Sequence, residues 1–344
     1  MSGLHLEPTA ENAVAISALR ARARPASPHA VVEDRPRRLR RSWAPGRLVD
    51  RAWAFDLHDQ RDRRWWPQGI TTSDDGRHIA VAWYAKALAG DPEGGHGSRI
   101  SLIDVVRRRY RHVLLVTPRI DDDGIPSFTP LRTHAGGLAW QHGHLHVAAT
   151  RRGLHTARIN DILRLPDDGP LTELAGGYRY VLPIIRSYRA GAAADAVGMR
   201  YSFLSADRER DELLAGEYAT SSSDAPRRLV RLALDPASGL PAVGEDGRSI
   251  ALALGEGVGH MQGAVCVGSR LVVSTSRGTR RRGSLWTGAM PANDVGSLAL
   301  TELRAALPMG PEDLAHDDVS GALWSVSEHP WRRWLVRLRD PLGG

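Results

Sequence analysis

From about residue 50 onward the chain alternates short apolar runs with Gly, Asp and Pro. Residues 77–83 (RHIAVAW), 144–149 (HLHVAA) and 270–274 (RLVVS) are examples. Period-two alternation closed by turn residues predicts β-strands. Helical periodicity is confined to the beginning. There Thr9, Glu11 and an Ala-rich run predict one short helix with an acidic first turn, ending before Pro25. Residues 1–46 therefore read as an N-terminal extension, partly helical or mobile.

The strands recur in a degenerate repeat. Pro67-Gln68-Gly69-Ile70, Ala135-Gly136-Gly137-Leu138, Met261-Gln262-Gly263-Ala264 and Pro311-Glu312-Asp313-Leu314 each open an apolar strand, and Arg200-Tyr201-Ser202-Phe203 is a weaker copy. The third residues fall at 69, 137, 202, 263 and 313, spaced by 68, 65, 61 and 50. Second strands are expected at 79–84, 145–150, 212–218, 271–275 and 322–327, and third strands at 99–104, 153–159, 227–234, 283–287 and 332–338. Outer strands such as 112–116 follow. Four antiparallel strands per unit, repeated radially, make a propeller blade. Little chain remains after Arg339, so residues 49–57 are expected to supply the last unit's outer strand and close the ring. The expectation is an all-β, five-bladed β-propeller over residues 47–344. Two β-sandwich domains are the alternative, but no linker-like stretch divides the repeat.

Of 46 basic residues only Lys86 is a lysine. Arginine bursts such as 107–109 and 280–282 read as solvated loops in a chain biased towards arginine. No helix-turn-helix, zinc-finger or RNA-recognition pattern accompanies them, so no nucleic-acid partner is expected. No run of about 18 apolar residues predicts a membrane span. The apolar stretch at 13–16 is short and runs into Arg20, unlike a secretion signal, so a cytoplasmic protein is expected. The single cysteine, Cys266, lies in an apolar strand and reads as a buried small hydrophobe. A monomer or weak oligomer is expected.

Several motifs resemble a group of actinobacterial propeller proteins of unknown role, mostly described as secreted. They are residues 134–140 (HAGGLAW), 177–183 (GYRYVLP), 201–205 (YSFLS), 214–218 (LAGEY), 310–314 (GPEDL) and 327–330 (SEHP). The likeness covers most of residues 50–340. The Pro-Gln-Gly-Ile and Gly-Pro-Glu-Asp-Leu segments are distantly similar to gluconolactonase-type and strictosidine-synthase-type propellers. Those have six blades and metal-binding Asn and Asp motifs that this chain lacks, so the likeness implies fold only.

Residues at the start of inner propeller strands face one mouth of the central channel. That register nominates Trp66, Gln68, His134, Arg200, Tyr201, His260, Gln262 and Glu312, and the loops between second and third strands add Tyr84, Arg152, Glu217, Arg277, Glu328 and His329. A desolvated Glu312 has a raised pKa suited to acid–base work. Its plain alternative is a structural pair with an arginine. The expectation is an enzyme with Glu312, His134 and His260 as catalytic groups. Gln68, Trp66, Arg200, Tyr201, Gln262, Glu217 and Arg152 would bind a small-molecule substrate for hydrolysis, elimination or cyclisation. Trp65 and Trp66 are candidates for an aromatic wall. A non-catalytic binding scaffold is the other reading.

No cofactor is expected. A channel-bound calcium ion held by Glu312 and the glutamines is the metal alternative. Asp121-Asp122-Asp123-Gly124 lacks the spacing of a dedicated calcium loop. The glycine-rich stretch 94–97 lacks a Walker lysine, and no Gly-x-Ser-x-Gly elbow exists. His142, His144 and His146 share one strand face and are expected on an exposed outer strand.

Overall fold

The computed structural model describes residues 3–89 and 96–341. Gly94 and Gly95 lie outside the described residues. Antiparallel pairing organises the chain into four-stranded meanders. The first runs Trp65–Thr72, Ile79–Ala85, Ser98–Asp104 and Arg109–Ile120. The second runs Leu138–Gln141, His144–Ala148, Leu154–Arg158 and Tyr180–Ala192. The third runs Phe203–Asp207, Glu212–Gly216, Arg228–Ala233 and Ser249–Glu256. The fourth runs Met261–Val267, Arg270–Thr275, Ser284–Ala289 and Thr301–Leu303. The fifth runs Pro311–Asp317, Ala322–Ser327 and Trp334–Leu338, and its outer strand is Val49–Ala54 from the other end of the chain.

Each inner strand packs against the next in chain order, and the fifth returns to the first. This cyclic array is of β-propeller type. The cores lie between neighbouring meanders, because each sheet must bury both faces. Ile100 and Leu102 meet Leu138 and Val147, and Leu154 and Tyr188 meet Leu204 and Leu213. Phe203 and Leu214 meet Met261 and Val273, Val272 meets Leu323 and Val336, and Trp83 meets Trp324 and Leu335. Each such fully buried large side chain is worth about 1.5–3 kcal/mol.

At the axis the inner strands touch backbone to backbone. A Cβ at Gly137 would collide with Leu204 N, and one at Gly69 with Gly137 itself. The axis is therefore closed, and the buried Asp313 fills it, accepting from the amides of Leu314 (2.9 Å), Ile70 (3.3 Å) and Leu138 (3.4 Å).

The N-terminal segment is laid over the sheets. Leu4–Pro8 pairs with Tyr180–Ala192 and touches Ser249–Glu256. Helix α1 (Ala13–Arg20) buries Ala15, Ile16 and Leu19. It starts after Glu11, so no acid lies in its first turn; Asn12 instead donates to Ile184 O at 2.9 Å. Helix α2 (Pro28–Glu33) is capped by Ser27. The long outer strands of the first and second meanders also pair in parallel, Leu114 opposite Val181. The three-histidine strand is not exposed. His146 is fully buried and bonds Thr156 Oγ1 at 2.9 Å, because its strand is the second of its meander and covered on both faces. His142 sits in the preceding turn and pairs with Asp211 at 2.7 Å. Cys266 is buried against Met290. No helix among the described residues is long and apolar enough to cross a membrane.

The ring closes around Asp59, in helix α3 (Leu57–Arg61), whose N-terminus is capped by Asp56. The fully buried Asp59 carboxylate takes Arg99 (3.0 Å), Tyr110 OH (2.5 Å) and His112 (3.1 Å), all from the first meander. Its carbonyl takes a guanidinium N–H of Arg333 in the fifth, and Gln60 bonds the Arg333 backbone at 2.6 Å. Trp83 Nε1 donates to Ser101 Oγ (2.8 Å), which bonds His112 Nδ1 (2.9 Å). Ser101, His112 and Asp59 are all buried, so this chain braces the sheet. Although burial opposes ionisation, His112, Arg99 and Arg37 hold Asp59 well below the usual carboxylate range.

Asp59→Asn leaves the buried Arg99 without its carboxylate, and we expect it to cost about 3–5 kcal/mol in urea unfolding at pH 7. Asp50→Asn, at the half-exposed Arg337 pair, is expected to change stability little. Burial lowers His112 to about 4, His146 to about 3 and His155 to about 4, from 6.5. The unfolded chain binds these protons first, so stability is complete above pH 6.5 and falls as pH drops towards 4. Urea midpoints across that window check the slope.

Candidate active site

The inner strands of the first, fourth and fifth meanders each break register near their start. The irregularities fall between Pro67 and Ile70, Met261 and Gly263, and Pro311 and Leu314. An extra residue in a strand re-aims its side chain, and here the residues inside the breaks include Gln68, Gln262 and Glu312. All three line one cavity of about 720 Å³ at the mouth of the ring, with Tyr84, His134, Arg132, Arg151, Arg152, Arg200, Ser202, Tyr218 and Glu328.

Glu312 is buried on the cavity wall, and its side chain shares a hydrogen bond with that of Glu328. Gln68 Nε2 donates to Glu328 Oε2 at 3.3 Å and to Pro67 O at 2.9 Å, which sets the amide's orientation. Burial, then the charges of Glu328 and Asp313, push the Glu312 pKa well above its ordinary value. Burial also raises Glu328, but Lys86, Gln68 and Arg333 pull it back. Both carboxyls are thus raised, Glu312 the further of the two. No arginine bonds the Glu312 carboxyl among the described residues. The only lysine stands beside the cavity: Lys86 Nζ lies 3.2 Å over the Trp66 ring, and its charge acts on both carboxyls. Tyr84 stacks on His134, centroids 4.2 Å apart. Burial first, then the two glutamates, raise the pKa of Tyr84 and Tyr218, so both phenols stay protonated. Burial in the wall, then Lys86, lower that of His134.

Of the ten nominated residues, Glu312, His134, Gln68, Gln262, Arg200 and Arg152 line this cavity, and four do not. Tyr201 points the other way from Arg200 and Ser202, as strand alternation requires, and is buried between the second and third meanders. Glu217 is consumed by Arg228 at 2.7 and 2.9 Å and by the amides of Arg200 and Arg228. Trp66 is the platform for Lys86, its indole N–H donating to Arg63 O. Trp65 is covered by Arg99 at 4.3 Å, so the pair forms no aromatic wall. His260 belongs to a second cavity with Arg277, His329 and Trp286, which shares Tyr218, Gln262 and Glu328 with the first. It has a positive φ of 65° and bonds Tyr218 OH at 3.5 Å. Its strand starts only at Met261, so His260 lies in the turn and does not join His134. Glu328, nominated by its loop position, lines the cavity; Lys86 beside it was not nominated, and its being the single lysine was the available signal.

No protein-family model matches the chain, and no curated protein matches it. Among solved structures it is similar to the glutaminyl cyclase of Myxococcus xanthus, with 13% identity, a TM-score of 0.43, and coverage of 89% of this chain and 100% of that one. A nidogen/laminin complex is 11% identical with a TM-score of 0.37, covering 87% and 96%. Hydrazine synthase of Kuenenia stuttgartiensis is 11% identical with a TM-score of 0.34, covering 77% and 74%. These likenesses carry nothing about chemistry.

Because Lys86 favours the ionised carboxyls, Lys86→Met is expected to raise the titration of the Glu312–Glu328 pair. Carboxyl carbon shifts followed by NMR across pH read this directly; an unchanged titration would place Lys86 outside the site.

Proposed function

We propose that the meanders are the blades of a five-bladed β-propeller over residues 47–344, and that its cavity is the active site of a small-molecule acid–base enzyme. The observation that carries the reading is that two carboxyls, Glu312 and Glu328, line one cavity, the second held by Gln68 Nε2 at 3.3 Å. Two carboxyls that hold one proton between them supply an acid and a base together. Glu328, kept ionised by Lys86 and Gln68, takes a proton from water or from the substrate. Glu312 gives its proton to the leaving oxygen or nitrogen. Gln262, Ser202 and Tyr218 offer neutral donors to orient the substrate, and His134 flanks it against Tyr84. A direct carboxyl–carboxyl hydrogen bond is much closer than the about 5–5.5 Å of a retaining glycosidase pair. The geometry therefore favours hydrolysis through a water at the pair, or elimination and cyclisation by the same proton transfers. In this reading the substrate is met in the cytoplasm by a monomer or weak oligomer.

The test is a substrate screen over esters, lactones and amides, followed by Glu312→Gln and Glu328→Gln. Each is expected to lower kcat by about 10²–10⁴-fold with the circular dichroism and melting curve retained. Full turnover in a folded Glu312→Gln protein would refute the assignment. Chelation is expected to leave turnover unchanged; loss of activity restored by calcium would replace the proton-sharing pair with a metal site.

A further inference from the structure

The cavity is electrically lopsided. Arg132, Arg151, Arg152 and Arg200 all line it, and among the described residues none of the four meets a carboxylate oxygen within ion-pair distance. Their contacts are to backbone: Arg152 donates to Arg132 O at 3.3 Å. Arg200 Nη2 is buried with no hydrogen-bond partner, as are the hydroxyls of Thr133 and Thr150 on the same wall. In the cavity between α3 and the 176–179 loop, Arg37, Arg99 and Arg179 pair with Asp56, Asp59 and Asp167. Among the described residues, the carboxyls that line the cavity are Glu312 and Glu328.

The order of the meanders then sets where the charges stand. Arg132 leads into the second meander's inner strand, Arg151 and Arg152 follow its second strand, and Arg200 precedes the inner strand of the third. Glu312 and Glu328 belong to the fifth. In the cyclic packing the fifth inner strand neighbours the first and fourth. The second and third are the two across the ring. The four arginines therefore stand on one side of the mouth and the two carboxyls, with Lys86 beside them, on the other.

We propose that this cavity takes an organic anion, a carboxylate or a phosphate ester, with the anionic group on the arginine side and its reacting bond across the mouth at Glu312–Glu328. Guanidinium groups are suited to both anions through paired N–H donors. The second half of the proposal rests on the acid–base reading; the first half does not. The experiment is calorimetric titration of the full chain with citrate, inorganic phosphate and pyrophosphate, with glucose as the neutral control. Saturable binding of citrate or pyrophosphate is expected, weakening with salt. It should weaken tenfold or more in Arg200→Gln and in Arg151→Gln/Arg152→Gln, and persist in Glu312→Gln. The preferred probe separates a carboxylate from a phosphate substrate. Absence of saturable binding by the wild-type chain, or equal binding in both arginine variants, overturns the proposal. Arginine-dependent binding alongside a fully active Glu312→Gln protein leaves the anion site standing and sinks only the acid–base reading.

Discussion

A ring of sheets is only as strong as the joint where its ends meet, and here that joint is organised by one buried carboxylate. Asp59 gathers Arg99, Tyr110 and His112 from the first meander while its backbone receives Arg333 from the last. Burying a charge without partners costs several kcal/mol, so each member is stable only with the others in place. The strand Val49–Ala54, paired to Trp334–Leu338, closes the same seam by backbone hydrogen bonds. From the seam the effect reaches the cavity. Arg333 Nε bonds the carbonyl of Glu328 at 3.0 Å, and its charge helps keep the Glu328 carboxyl ionised.

The same geometry that closes the axis opens the site. Glycines at 69 and 137 let neighbouring inner strands touch, which leaves no through-channel and makes the mouth a blind cavity. The strand irregularities above that contact turn Gln68, Gln262 and Glu312 into it. A carboxyl held there is buried in the cavity wall beside a second carboxyl, and both conditions raise its pKa.

Much of the strand pattern was legible because it is local. Period-two alternation located the second and third strands to within a few residues, and the shortage of chain after Arg339 pointed to the pairing of the two ends. The repeat register also reached Gln68, Gln262 and Glu312, since equivalent positions in a radial repeat face equivalent places. It failed where one residue of register decides a side: Tyr201 falls between sheets while its neighbours Arg200 and Ser202 line the cavity. Glu217 reads as a channel carboxylate until Arg228, from the adjacent strand, is seen to occupy it. His146 reads as exposed because alternation does not say whether a strand's second face is covered.

The all-β class, the rough strand boundaries and a small polar set at one end of the inner strands can be read from the chain without coordinates. These follow from alternation and turn residues a few positions apart. Packing of the ring is what brings Glu312 and Glu328 to one cavity, stands the single lysine over Trp66 beside them, and sets four arginines across the mouth. Those relations join residues tens to hundreds of positions apart, and burial and charge at such distances are properties of the packed ring rather than of any stretch of chain.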